Sequence, residues 1–192
     1  MADFDIDAAA ERRLGEFFDQ IGDVLHNKRR RASFATYALG LLGDGERKSA
    51  EPIAARACGD PARCDAYHAR LLHFIADSVW SDHRVRRAAT ARAIAAMVER
   101  EPVTAWIVDD TGFLKQGKHS VGVQRQYTGS AGKVTNCQIG VSLSVATRTE
   151  HLPVDFELYL PASWTDDPKR RREAKIPDGV VFKTKIDLAL EM

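Results

Sequence analysis

Apolar residues recur at helical spacing from Ile6 to Arg100 and at strand spacing after that point. Leu14, Phe17, Phe18, Ile21, Val24 and Leu25 form one stripe behind Asp7, a residue type suited to an N-cap. A second stripe, Phe34, Tyr37, Ala38, Leu41 and Leu42, follows Ser33 and stops at Gly43-Asp44-Gly45. Ser49 to Cys58 reads as a short helix with Pro52 in its first turn, and Gly59-Asp60-Pro61 as a turn. Ala62 to Val79 then reads as a longer helix that buries Tyr67, Leu71, Leu72 and Ile75. Ser81 to Glu99, rich in Ala and Arg, supplies a last helix. Residues 1–100 are therefore expected to be all-helical, with a helix-turn-helix arrangement between Ser49 and Val79.

At Pro102 the period changes. Val103 to Val108 is a short apolar run of the kind that forms a central strand, and Asp109 and Asp110 follow it directly. Val121 to Tyr127 and Asn136 to Thr147 read as two more strands on either side of the turn segment Thr128-Gly-Ser-Ala-Gly132, which predicts an antiparallel meander. Val154 to Leu160 adds a further strand. Pro161 to Lys175 reads as a polar connection with a short helix, and Lys185 to Met192 as the start of a helix without a stop signal. The expected fold class is α+β, with a helical domain over 1–100 and a sheet-containing domain over 101–192.

Charge alters this picture only through its distribution. Lys and Arg number 28 against 27 Asp and Glu, a net charge of +1, so affinity for a polyanion must come from clusters. Those clusters are Lys28-Arg29-Arg30-Arg31, Arg47-Lys48, Arg84 with Arg86 and Arg87, and Lys169 to Arg172, with Lys115, Lys118 and Arg125 further candidates for contact with DNA. Any one cluster equally describes a solvated helix face. The 3 cysteines cannot all pair within the chain, and no secretory run precedes Leu14, so a reduced, cytoplasmic setting is expected. No stretch reaches the roughly 20 apolar residues of a membrane span. Cys58, Cys64, His68 and His73 do not match the spacing of zinc sites. Trp80, Trp106 and Trp164 read as core or interface aromatics.

Asp109 and Asp110, placed between an apolar strand and Thr111-Gly112, are candidate metal ligands, although Asp110 could equally open a turn and Asp109 accept backbone hydrogen bonds. Their surroundings are more specific. The run Trp106-Ile-Val-Asp-Asp-Thr-Gly-Phe-Leu-Lys-Gln-Gly-Lys-His-Ser-Val-Gly-Val-Gln-Arg-Gln-Tyr127 is followed by Gly129-Ser-Ala-Gly-Lys133 and Asn136-Cys-Gln-Ile-Gly140. It resembles the motif of insertion-sequence transposases of the DDE superfamily nearly position by position. The likeness continues through Glu157-Leu-Tyr-Leu-Pro161, Ser163-Trp-Thr-Asp-Asp167 and Phe182 to Met192, and more loosely through Gly40-Leu-Leu and Glu46-Arg-Lys48.

The resemblance implies a ribonuclease-H-like catalytic core whose first strands are antiparallel and whose first strand carries the first of three metal-binding carboxylates. Asp109 best matches that catalytic and metal-binding position. Asp110 ranks second, as neighbour or alternative. In such a centre two Mg²⁺ ions, or Mn²⁺, would activate a water or 3′-hydroxyl and stabilise the leaving oxygen. The resemblance puts the second Asp and the Glu beyond Met192, so the chain is expected to hold an incomplete site. It is read as a transposase-derived DNA-binding protein whose partners are DNA, a full-length transposase or another protein, associated with the bacterial nucleoid and open to homo-oligomerisation. The alternatives are a non-catalytic regulator and a protein-interaction module that uses an open sheet edge.

Overall fold

Asp7 opens the first helix, α1 (Ala8–Leu25), by accepting the amide protons of Ala9 and Ala10 at 2.6 and 2.9 Å. Those bonds hold its carboxyl below the usual carboxylate range. The computed structural model describes residues 7–192, so the helical reading at Ile6 lies outside the described residues. The chain divides into two compact units, Met1–Ala89 and Thr90–Met192. The sequence placed the boundary near Arg100; the division instead falls inside a helix, α5 (Asp82–Val98).

The first unit is helical. After α1 come α2 (Lys28–Leu42), α3 (Ala50–Ala57) and α4 (Cys64–Leu72), which runs into a π-helical turn at His73–Asp77. α2 begins before the apolar stripe does. Asn27, not Ser33, caps it, by accepting from Arg29 and Arg30, and Ser33 is buried inside the helix. The basic run Lys28–Arg31 is thus the first turn of a helix. Two cores form: Ile21 and Leu25 with Phe74, and Ile53 and Ala54 with Leu71. Phe74 takes the place the sequence assigned to Leu72 and Ile75, which are both exposed. Leu71 and Phe74 are the buried residues on either side of the start of this turn, each in a different core. Trp80 stacks on Phe74 at 5.2 Å and donates to its carbonyl, a core role.

The second unit is built on an antiparallel sheet of β1 (Ala105–Leu114), β2 (Gln124–Thr128), β3 (Lys133–Ala146) and β4 (His151–Tyr159). Its order corrects the expected meander. β3 is the centre, with β1 on one edge and both β2 and β4 on the other. The reason is length: 14 residues of β3 outrun β2, which pairs only with Lys133–Cys137, and leave Ile139–Ala146 free for β4. The β2–β3 turn closes with Gly132 at φ 61°. Alternate β3 residues, Cys137, Ile139, Val141, Leu143 and Val145, are buried on one face. Met97, Leu143, Val145 and Val154 form one core there, and Val123, Trp164 and Ile176 form another. Three short helices follow the sheet: α6 (Ala162–Thr165), α7 (Pro168–Glu173) and α8 (Lys185–Glu191). This is an α+β chain. Among the described residues no helix is long and apolar enough to cross a membrane.

Candidate functional site

Asp109 and Asp110 lie in the middle of β1, not at a strand end before a turn as their sequence context indicated. The turn reading rested on Thr111-Gly112, and Gly112 is a glycine for another reason. A Cβ there would overlap the Thr128 side chain of β2, and the Gly112 carbonyl accepts the Ser130 hydroxyl at 2.8 Å. The glycine allows a close approach and β1 continues through it to Leu114.

Register puts the two carboxylates on opposite faces. Asp109 stands opposite Ser142 and Asp110 opposite Val141, whose side chain is buried. Asp109 Oδ1 accepts the amide proton of Asp110 at 2.8 Å, the backbone bond the sequence had left open, and its side chain is otherwise exposed. Asp110 Oδ2 accepts a proton from Lys185 Nζ at 2.6 Å in an ion pair that is 36% exposed at Lys185 and 39% at Asp110. The pair stands at a recess of about 570 Å³ walled by Val108, Val141, Ile186 and Ala189. Lys185 also lies 5.7 Å from the ring centroid of Tyr159.

Lys185 escaped the sequence reading, but a local signal pointed to it. Thr184 and Asp187 form a reciprocal capping box, in which Asp187 accepts the Thr184 hydroxyl at 2.7 Å and the Thr184 amide at 3.0 Å, and donates its own amide to Thr184 at 3.1 Å. The bonds from Thr184 hold the Asp187 carboxyl below its ordinary range. The box fixes where α8 starts and so sets Lys185 over β1.

The segment between β1 and β2 is held from β3. Asn136 donates to the carbonyls of Lys115 and Gly117 at 3.0 and 2.7 Å, and Gln138 donates to that of Val121 at 2.6 Å. The Asn136-Cys-Gln138 motif therefore pins a loop with its two amides, while Cys137 is fully buried on the other face of β3. That loop carries Lys115 and the exposed Lys118, and Arg125 is exposed on β2.

The basic clusters have unequal fates. Lys28, Arg29, Arg30 and Arg31 open α2, where Arg31 is paired with Asp23. Arg47 and Lys48 lie between α2 and α3, and Lys48 binds the Gly43 carbonyl. Arg84, Arg86 and Arg87 lie in the first turns of α5, where Arg86 meets Asp82 at 3.2 Å. In α7, Arg170 lies 3.8 Å from the Trp164 ring centroid and binds the carbonyls of Ser163 and Lys118. Arg171 donates to the carbonyls of Thr165, Val180, Pro177 and Asp178 at 2.7–3.2 Å. The middle of the Lys169–Arg172 run is structural. The structure also brings Arg70, which belongs to no cluster in the sequence, beside Arg29 and Arg30.

Cys58 and Cys64 both donate to the carbonyl of Asp60, at 2.8 and 3.7 Å, and the Cys58 thiol raises the pKa of Cys64. No group of three or more His, Cys, Asp or Glu among the described residues could hold a metal ion.

The family model described as DDE superfamily endonuclease matches residues 16–192. A probable transposase for insertion sequence element IS701, from Microchaete diplosiphon, is 28% identical over 157 residues, covering 82% of this chain and 36% of that protein. The chain thus spans little more than a third of the length of that curated relative. No solved structure matches.

Proposed function

Because the chain belongs to the DDE superfamily endonuclease family, we propose that it acts on DNA as part of a transposition machinery, in the cytoplasm at the nucleoid. In this reading the first unit holds duplex DNA through phosphate contacts and β1 supplies the first carboxylate of a metal-dependent strand-cleavage centre. The observation that carries it is the carboxylate pair within β1, displayed on two faces of a sheet whose topology suits a ribonuclease-H-like core.

The donor chemistry fits a hard divalent cation such as Mg²⁺ or Mn²⁺, since the groups on offer are carboxylate oxygens with no thiolate or imidazole beside them. It fits as one ligand of a larger set. Asp109 is the proposed ligand, because its second oxygen has no partner among the described residues. Asp110 is the alternative, although the Lys185 ammonium already balances its charge. When bound, the ion would polarise the scissile phosphodiester and activate an oxygen nucleophile. The protein's own part is to hold a carboxylate rigidly on a strand, with Lys185 committed to Asp110 on the opposite face.

The test is Mn²⁺ binding to the purified chain, followed by the loss of the free-ion electron paramagnetic resonance signal, with Asp109→Asn and Asp110→Asn alongside. Asp109→Asn should abolish the weak binding and Asp110→Asn should leave it. The reverse pattern moves the ligand to Asp110, and binding indifferent to both removes β1 from the centre.

A further inference from the structure

We propose that the hollow between the start of α2 and the π-helical turn after α4 is a binding site for a backbone phosphate of DNA, built chiefly by Arg29, Arg30 and Arg70. This rests on the DNA reading above and names the group that would make the contact.

The hollow measures about 610 Å³, and Asn27, Ser33 and His73 line it with the three arginines. Among the described residues the only carboxylate lining it is that of Asp77, which faces His73 Nδ1 at 3.7 Å. Three guanidinium groups against one carboxylate leave the hollow cationic. Among the described residues no carboxylate pairs with Arg29, Arg30 or Arg70, whereas Arg31, next in the run, has Asp23.

Arg70 is the sharper observation. Its Nε is shut off from solvent and meets no hydrogen-bond acceptor, an uncommon state for a buried donor. Its guanidinium carbon lies 4.4 Å from the centroid of the Tyr67 ring, a contact that steadies the plane and uses none of its N–H groups. A planar, always-charged fork held in this way suits the two oxygens of a phosphodiester.

Two features of the backbone support the same ligand. The 15-residue α2 directs its positive end at the hollow. Its first free amides are not the binding groups, because Asn27 already accepts from Arg29 and Arg30. The π-helical turn closes with the Ser78 amide on the His73 carbonyl at 2.8 Å and sets His73, Phe74 and Asp77 along one wall. Single π-helical turns are frequently found at functional sites. A contact with a backbone phosphate fixes position on the duplex and carries no sequence preference.

The experiment is fluorescence anisotropy of a labelled random duplex with the whole chain at several salt concentrations, for the wild type, Arg29→Gln, Arg70→Gln, Arg70→Lys and, as an exposed basic residue outside every cluster, Lys133→Gln. Near-ultraviolet circular dichroism checks the fold of each. Arg70→Gln and Arg29→Gln should weaken binding roughly tenfold and lower the slope of log K against log salt by about one. Arg70→Lys should restore the slope but not the full affinity, and Lys133→Gln should match the wild type. Wild-type binding that Arg29→Gln and Arg70→Gln leave unchanged in folded protein overturns the hollow while the DNA reading stands. Absence of any salt-sensitive binding by the wild type overturns both. Titration of inorganic phosphate, followed by the Arg70 Nε–H resonance, separates sources. A shift saturating with free phosphate in a chain that binds no duplex assigns the hollow to a small phosphate and overturns the DNA contact.

Discussion

α2 and α7 begin almost alike and end in opposite roles. Each opens with a polar cap, Asn27 or Asp167, that accepts the amide protons two and three residues on, and each follows it with a run of basic residues. In α7 the run is turned inward. Arg170 covers Trp164, and Arg171 closes a set of carbonyls that no strand or helix satisfies. In α2 the run is turned outward: Arg29 and Arg30 border a hollow and only Arg31 finds a carboxylate. The lesson is that a basic run states charge but not destination. Destination depends on whether nearby loops leave acceptors to be filled. The six-residue α7 is flanked by irregular chain rich in open carbonyls, while α2 runs for 15 residues among other helices whose carbonyls bond within themselves.

If that contrast holds, the largest effect should come from the side chain under α7. Trp164 is 3% exposed, packs with Val123 and Ile176, and donates to the Val123 carbonyl at 2.8 Å. Trp164→Ala should cost about 3–5 kcal/mol in urea unfolding. A loss under about 1 kcal/mol would mean that the small core can collapse around the gap and that Arg170 needs no platform. Next comes Arg171→Ala, which removes charged donors from the part-buried carbonyls of Thr165 and Val180 and should cost about 2–3 kcal/mol. Its counterpart Arg29→Ala in α2 should stay within about 0.5 kcal/mol of the wild type. Equal costs for the two would erase the distinction between a structural and a displayed run.

The same contrast marks what was legible from residue types. Amphipathic stripes located the helices, because Ile21, Leu25 and Leu71 obey the 3.6-residue period and are buried. Alternation located the strands, because β3 buries every second residue. Three things were hidden. The start of α2 was misplaced, since Asn27 caps a first turn that is wholly basic and carries no apolar signal. Gly112 looked like a turn because its need, room for Thr128, lies on another strand. Arg70 belongs to no basic run and went unmarked, since what sets it apart is the start of α2 beside it. For the carboxylates, the sequence named the pair but not their division between faces, which follows from the register with β3, nor the Lys185 partner far along the chain.

A smaller effect should come from acid. Glu101 accepts the Thr149 hydroxyl at 2.9 Å, the Thr149 amide at 3.2 Å and Arg148 at 3.1 Å, and the hydroxyl bonds of Thr149 and then Thr147 chiefly hold its carboxyl below the ordinary range. A carboxyl depressed in the folded state stabilises above its unfolded value and loses that contribution as pH falls through that value toward the folded one. Urea midpoints should therefore drop between about pH 6 and about pH 3, and Glu101→Gln should flatten part of that drop. Asp7 and Asp187 are depressed in the same direction, so some slope must survive. An unchanged slope in Glu101→Gln would assign the acid sensitivity to the helix caps alone.

The finest discrimination uses the caps of the two basic helices. Asn and Asp are nearly equivalent at an N-cap, so Asn27→Asp and Asp167→Asn should each alter stability by only about 0.5 kcal/mol or less. Their effects on binding should differ. Asn27 lines the hollow beside Arg29 and Arg30, and a carboxylate there would compete for the guanidinium groups with any phosphate. Asn27→Asp should therefore weaken duplex binding several-fold at low salt, and the deficit should narrow as salt rises. Asp167→Asn removes a negative charge beside a run whose middle arginines are already committed to carbonyls and to Trp164, so anisotropy should detect little change. Tighter binding after Asp167→Asn, with Asn27→Asp silent, would reverse the assignment and place the DNA-facing run on α7.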